Sequence, residues 1–96
     1  RMMVTSTVYR RMTQIMLELA DEMTGGKLIL SHEGGYSAAY VPYWGLAVME
    51  ELSGITSSIR DPFEEIVDSS GGHQLYAHQD DVIKKAETLA AAVPAG

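Results

Sequence analysis

The sequence predicts an α/β fold made mostly of helices, with one buried strand. Three segments carry apolar residues at helical spacing, and one short run, KLILS at 27–31, is apolar without alternation and lies between glycines. Consecutive apolar residues of this kind are typical of a strand covered on both faces, as in a parallel sheet. We expect residues 1–96 to form a single incomplete domain, because the chain opens on Arg1 without an initiator methionine.

The first predicted helix covers residues 6–23. Thr5 or Ser6 can cap its start, and Gly25 with Gly26 supplies the left-handed stop that ends many helices. Apolar side chains recur every three or four residues and so share one helical face. They are Val8, Met12, Ile15, Met16, Leu19, Ala20 and Met23. We expect this face to pack on the core.

The predicted strand at 27–31 has no second strand in this chain to pair with. Buried backbone groups must be hydrogen-bonded. We therefore expect the strand to pair with the remainder of a longer protein, or with the strand of a second copy.

Further helices are predicted in the second half of the chain. Pro42 suits the first turn of a helix that stops at Gly54, and Asp61 with Pro62 begins a short one within 61–70. Residues 77–93 form another, with acidic residues in the first turn. Its apolar face comprises Val82, Ile83, Ala86, Leu89, Ala90 and Val93.

Composition excludes some classes of function. Seven basic residues against thirteen acidic ones give a net charge of −6, which disfavours nucleic acid and anionic membrane surfaces, although the YRR run at 9–11 could act locally. The chain has no cysteine, so disulfides and thiolate metal sites are excluded. No apolar run reaches the roughly 18 residues that a membrane span needs. We expect a cytoplasmic protein.

The HEGGY run at 32–36 is the candidate functional site. Two glycines let the backbone turn sharply and let a substrate approach without a Cβ in the way. The phenolic hydroxyl of Tyr36 can donate a hydrogen bond to a carbonyl oxygen and to the oxyanion formed from it. From the residues alone, a turn with a packed aromatic ring is the commoner meaning of Gly-Gly-Tyr.

Residues 25–54, GGKLILSHEGGYSAAYVPYWGLAVMEELSG, resemble the C-terminal region of the histone deacetylase family, most of all its bacterial class II-like amidohydrolases. The flanking YRRMTQIMLELADEM and HQDDVIKKAETLA are similar to the helices around that motif. The resemblance implies the C-terminal part of an arginase–deacetylase-type domain built on a parallel sheet. It also implies hydrolysis of acetyl-amide bonds in acetyl-lysine or acetylpolyamine substrates.

The resemblance implies specific roles for three residues. Tyr36 matches the tyrosine that polarises the acetyl carbonyl, and Gly34 and Gly35 match the glycines that shape the substrate pocket. It implies zinc in the complete enzyme, held by two aspartates and a histidine, and nothing in this chain matches those ligands. The isolated 96 residues are therefore predicted to be inactive. The expected partners are the remainder of the deacetylase domain and an acetylated protein or small molecule, with a homo-oligomer also possible.

Other polar residues have competing interpretations. His73 and His78, with Asp80 and Asp81, could bind a metal, but the spacing fits helix capping and solvation better. His32 beside Glu33 is either an acid–base pair or a residue that steadies the loop.

The remaining aromatic and basic residues have predicted roles, and two alternatives to an enzyme remain. Trp44 and Tyr43 are expected to pack on the core, or one of them to line a substrate entrance, and Arg10 and Arg11 to form a solvated helix face. The main alternative to an enzyme is a stand-alone helical module that dimerises without catalysis. A small-molecule site that binds an anion at the glycine loop is a weaker alternative, because the loop lacks a lysine.

Overall fold

The regular elements of the chain are helices in the computed structural model, which describes residues 4–72 and 74–93. In chain order they are α1 (Ser6–Thr24), α2 (Val41–Ser53), α3 (Glu64–Ser69) and α4 (Ala77–Ala91). Each coincides with a segment predicted to be helical. The spacing of apolar residues and the residues at helix ends thus located the helices, although the short one begins at Glu64 and not at Asp61 or Pro62.

The predicted α/β fold with a buried strand is wrong for this chain, because residues 4–72 and 74–93 contain no strand. Residues 27–37 run without regular structure, and Ile29 is 94% exposed instead of buried. A strand is held by hydrogen bonds to a neighbouring strand. The described residues offer none, so KLILS has nothing to pair with.

Glycines end the two longer helices of the first half. Gly25 follows α1 with φ at +63°, and the N–H of Gly26 donates to the carbonyl oxygen of Ala20 at 3.0 Å. Gly54 ends α2 in the same left-handed conformation. A residue without a Cβ adopts this backbone shape most readily. The glycine stops are therefore confirmed.

Helices α1 and α2 pack against each other and form the main tertiary contact among the described elements. The residues of α1 buried by this packing are small and seven apart: Ser6, Thr13 and Ala20. Ala47 and Glu50 are the buried residues of α2. Small side chains at this spacing form a narrow seam along which two helices can approach closely.

The apolar face predicted for α1 is mostly uncovered. Its large side chains keep 41–74% of their surface exposed: Val8, Met12, Ile15, Met16, Leu19 and Met23. Only Ala20 of the predicted set is buried. The apolar residues of α4 are exposed too, with Val82 at 65% and Leu89 at 71%. Within the described residues, the apolar faces of α1 and α4 are therefore largely uncovered.

No helix in the described part of the chain is both long enough and apolar enough to cross a lipid bilayer.

Candidate functional site

The HEGGY run lies in the irregular connection between α1 and α2. Gly34 and Gly35 have φ of +70° and +82°, so both occupy the left-handed region that glycine enters freely. The connection closes at Ser37, whose carbonyl oxygen accepts the N–H of Val41 at 3.1 Å. The positive φ values require glycine at both positions, but residues 31–37 form neither a turn nor a bend, so the sharp turn predicted from the glycine pair is not observed. Tyr36 lies between the glycines and the start of α2.

Tyr36 projects from this loop with its side chain 100% exposed. A Cβ built on Gly34 would lie 3.8 Å from Cε2 of Tyr36, so the ring lies over the glycine backbone. The phenol is consequently not a packed aromatic of a turn. Its hydroxyl is available to a group that approaches from outside the chain.

Gly35 is enclosed more tightly than Gly34. A Cβ at Gly35 would lie 2.8 Å from Nε2 of His32 and 3.1 Å from Cγ2 of Val41, both closer than ordinary van der Waals contact. His32 therefore occupies the space that a side chain at Gly35 would fill. Among the described residues, His32 has no hydrogen bond to Glu33, so an acid–base pair is not formed in this structure.

Stacked aromatic rings hold the far end of the loop. Trp44 stacks between Tyr9 of α1 and Tyr40, with ring centroids 5.2 and 5.7 Å away. Tyr40 and Tyr43 also contact Phe63, at 4.7 and 5.9 Å. Aromatic pairs at these distances are stabilising. Trp44 and Tyr43 accordingly pack as expected, and they fix the end of α2 that follows Tyr36.

A cleft of about 550 Å³ lies between the two packed helices and the loop. Its apolar wall includes Met12, Met16, Leu30, Trp44, Val48 and Leu52. Its polar rim at the loop comprises Ser31, His32 and Glu33, with Gly35 beside them. Tyr36 does not line this cleft, so the structure brings His32 and Gly35 together but leaves Tyr36 pointing elsewhere.

An ion-pair cluster joins α1 to α2 at some distance along the sequence from the loop. Arg10 donates to Glu50 at 2.5 Å and to Glu51 at 2.9 Å. The backbone N–H of Ser57 donates to Glu50 at 2.7 Å, and Gln14 donates to Glu51 at 3.1 Å. Arg10 is therefore not part of a solvated face as expected, whereas Arg11 is, with 62% of its side chain exposed.

The hydrogen bonds from Ser57 and then Arg10 lower the pKa of Glu50 to about 2. Donors to a carboxylate stabilise its charged form, which lowers its affinity for a proton. Hydrogen bonds from Arg10 and Gln14 lower the pKa of Glu51 as well. The same contacts raise the pKa of Arg10, so the cluster is fully charged at neutral pH. Its contacts join helix to helix, which makes it a structural element and not a reactive one.

The candidate metal ligands do not form a site within residues 4–72 and 74–93. No three His, Asp or Glu side chains come together there in a group that could hold a metal ion. His78 stacks on Tyr76 with ring centroids 5.8 Å apart, and Asp80 pairs with Lys84 at 2.5 Å. His73, the other predicted ligand, lies outside the described residues.

The chain is similar to a protein whose name describes it as an amidohydrolase. Over 68 residues it is 48% identical to the "Histone deacetylase-like amidohydrolase" of Pseudomonas aeruginosa, a match that spans 71% of this chain. The match spans only 18% of that relative, in its C-terminal portion. No family model matches the chain.

This sequence similarity places the chain in the class of the amidohydrolases. More particularly, the chain belongs to the histone deacetylase-like amidohydrolase family and corresponds to a C-terminal fragment of it. The family resemblance stated from the HEGGY motif and its flanking segments is therefore confirmed. Since less than a fifth of the relative is covered, the activity of the complete protein is a matter for proposal.

Proposed function

We propose that this chain is part of an enzyme that hydrolyses acetyl-amide bonds, and that Tyr36 donates a hydrogen bond to the acetyl carbonyl oxygen. The substrates are of acetyl-lysine or acetylpolyamine type. One observation carries the proposal: in a chain 48% identical to a histone deacetylase-like amidohydrolase, the tyrosine after the glycine pair is 100% exposed, on a loop fixed at α2. A packed ring would have contradicted it.

The chemistry of a phenol suits this role. The hydroxyl of Tyr36 donates a proton in a hydrogen bond without itself carrying charge. As water adds to an amide, its carbonyl oxygen becomes an oxyanion, and a donor held in advance at that position binds the transition state more tightly than the substrate. The difference in binding lowers the activation barrier. A phenol is a poor base and a slow nucleophile at neutral pH, so we assign Tyr36 no other step.

Gly34 and Gly35 are proposed to form the part of the substrate pocket next to Tyr36. Both have a positive φ, +70° and +82°, which residues with a side chain rarely adopt. The ring of Tyr36 lies next to Gly34, where a Cβ would be in ordinary van der Waals contact with it at 3.8 Å. The absence of side chains at both glycines leaves room for an acetyl group to approach the hydroxyl.

The family resemblance implies that the complete enzyme binds zinc. We propose that none of the zinc ligands comes from this chain. Zinc sites of hydrolases need three protein ligands from His, Asp or Glu. The described residues bring no such group together, so they do not fit the ion. We therefore derive no step of the reaction through zinc here, and the contribution of this chain is restricted to the hydrogen bond from Tyr36.

The remainder of the complete protein is proposed to cover the apolar face of α1 and the adjoining cleft. Ala20, Ala47 and Val67 are the buried apolar residues of the described chain, which is a very small core. The exposed face of α1 runs from Val8 to Met23 and continues into a cleft with a mostly apolar wall. Exposed apolar surface on this scale marks an interface. The relative extends far beyond the matched 18%, which supplies enough chain to cover it.

Substitution of Tyr36 by phenylalanine in the complete protein tests the proposed function. The turnover number kcat for an acetyl-lysine peptide should fall about 10²–10³-fold, the usual effect of removing one oxyanion donor. Bound zinc should be unchanged. Tyr43→Phe is the matched control, since it removes a hydroxyl from a ring that packs on Phe63 and not from the loop. If Tyr36→Phe and Tyr43→Phe retain equal kcat, Tyr36 has no part in the reaction.

A further inference from the structure

The imidazole of His32 lies beside Gly35, in the space that a side chain on Gly35 would fill. Its Nε2 lies 2.8 Å from the position that a Cβ on Gly35 would take. On the neighbouring side, both methyl groups of Val41 approach the same position, at 3.1 and 3.4 Å. Gly35 is itself exposed, but an imidazole ring and a valine side chain lie on the side where its Cβ would project. The residue that follows it is Tyr36.

The Val41 side of this enclosure is rigid. Val41 is the first residue of α2, and its N–H donates to the carbonyl oxygen of Ser37 at 3.1 Å. The preceding Tyr40 is held between Trp44 and Phe63 by ring stacking. The His32 side has no such anchor in the helices, because residues 27–37 are irregular. The imidazole and the fixed start of α2 therefore lie on either side of the position that a Gly35 side chain would take.

From this geometry we propose that His32 is a positioning residue for Tyr36. The imidazole holds the Gly35 peptide against Val41, and that peptide sets the direction in which the Tyr36 side chain leaves the backbone. The inference rests on the proposed function of Tyr36 and adds to it how the phenol is aimed. His32 itself touches neither the substrate nor the reacting atoms in this proposal.

The chemical demand on Tyr36 explains why such a contact matters. A hydrogen-bond donor stabilises an oxyanion only at the correct distance, and a displacement of about 1 Å can lower turnover about 10²-fold. Two consecutive glycines leave a backbone with wide conformational freedom. Without a side chain packed on Gly35, the phenol would occupy several directions. The imidazole restricts this freedom without adding a Cβ at the turn.

The test uses His32→Ala and His32→Phe in the complete protein, alone and combined with Tyr36→Phe. For His32→Ala, kcat should fall about ten- to a hundredfold, with KM and bound zinc little changed, because the phenol is present but poorly aimed. His32→Phe keeps a flat ring over Gly35 and should recover most of the lost kcat. In the Tyr36→Phe background, His32→Ala should cause no further loss, since it acts through the removed hydroxyl.

His78→Ala is the matched control, because it removes an imidazole that stacks on Tyr76 at α4, away from the loop. It should leave kcat unchanged. Equal kcat in His32→Ala and the unaltered protein overturns the inference. So does a loss that simply multiplies with that of Tyr36→Phe, or a His32→Phe variant as slow as His32→Ala. If Tyr36→Phe alone has full activity, the proposed function fails instead, whichever result His32 gives.

Discussion

Replacing Gly35 with alanine should have two distinguishable effects. One is a loss of protein stability, and the other is a loss of turnover because Tyr36 is no longer correctly oriented. The new Cβ would lie 2.8 Å from Nε2 of His32 and 3.1 Å from Cγ2 of Val41. Val41 is fixed at the start of α2, whereas the imidazole is the far end of a side chain that can rotate. We therefore expect His32 to be displaced from the loop.

The size of the effect follows from two independent terms. An L-residue in the left-handed region, here at φ +82°, is destabilised by about 1–2 kcal/mol. The imidazole can swing away, but the 3.1 Å approach to Cγ2 of the fixed Val41 should add to the loss of stability. The crowding should also cause a loss of kcat of about ten- to a hundredfold, because the peptide before Tyr36 is no longer held and a misplaced group is a poor catalyst.

Gly25→Ala provides the matched control in the same protein. Gly25 has φ of +63°, and a Cβ there would meet no atom within 4 Å. Gly25→Ala therefore has the cost of an L-residue at a positive φ, as Gly35→Ala does, but no crowding of the new Cβ. Both variants should therefore unfold at lowered temperatures, Gly35→Ala at the lower of the two, as measured by thermal denaturation of the complete protein. Gly35→Ala alone should lose turnover of an acetyl-lysine peptide. Equal kcat in the two variants would refute the reasoning.

Three further predictions concern the isolated chain, the exposed face of α1 and the contact of α1 with α2. The isolated 96 residues should show no acetyl-amide hydrolysis, and activity should appear when the remainder of the protein is added as a separate chain. Met16→Glu should weaken that association about tenfold or more relative to Thr7→Glu, because it places a charge on the exposed apolar face that the remainder of the protein is proposed to cover. Self-association of the chain alone, with equal effects of both variants, would favour the dimerisation module. The pKa of Glu50, lowered from 4.5 to about 2, predicts that its stabilising contacts are complete above pH 4.5 and are lost as the pH falls towards 2. Glu50→Gln should abolish this part of the acid dependence of the unfolding temperature, and an unchanged acid profile would show that the cluster with Arg10 does not stabilise the fold.

The helices could be predicted from the sequence because their signals are local. Apolar spacing, Pro42 at a helix start and the glycines after Ser53 and Thr24 each act within a few residues. The positive φ at Gly34 and Gly35 is equally local, since glycine alone enters that backbone region freely. The sharp turn predicted there is absent, because glycine permits a turn but does not impose one.

The strand could not be predicted, because strand formation depends on a partner. Three consecutive apolar residues at 28–30 are compatible with a strand, a buried coil or an interface segment. The described chain offers no neighbouring strand, and Ile29 remains exposed. Only structural information beyond the segment itself could exclude the strand.

Tertiary placement also determined which face of α1 is buried. The sequence favoured the apolar side, but the seam against α2 runs along Ser6, Thr13 and Ala20. Arg10 was missed for the same reason, since its partners Glu50 and Glu51 lie about 40 residues away and no local pattern marks them. The packing of His32 on Gly35 is likewise a contact that spacing alone does not reveal.

The most direct test of the central claim is the affinity of the complete protein for a stable tetrahedral analogue of the hydrated acetyl amide. Such an analogue carries the oxygen that Tyr36 is proposed to bind in the transition state, whereas the substrate carbonyl carries less charge. Tyr36→Phe should weaken binding of the analogue about 10²–10³-fold and change substrate affinity far less. Unchanged affinity for the analogue would contradict the claim that this hydroxyl stabilises the oxyanion.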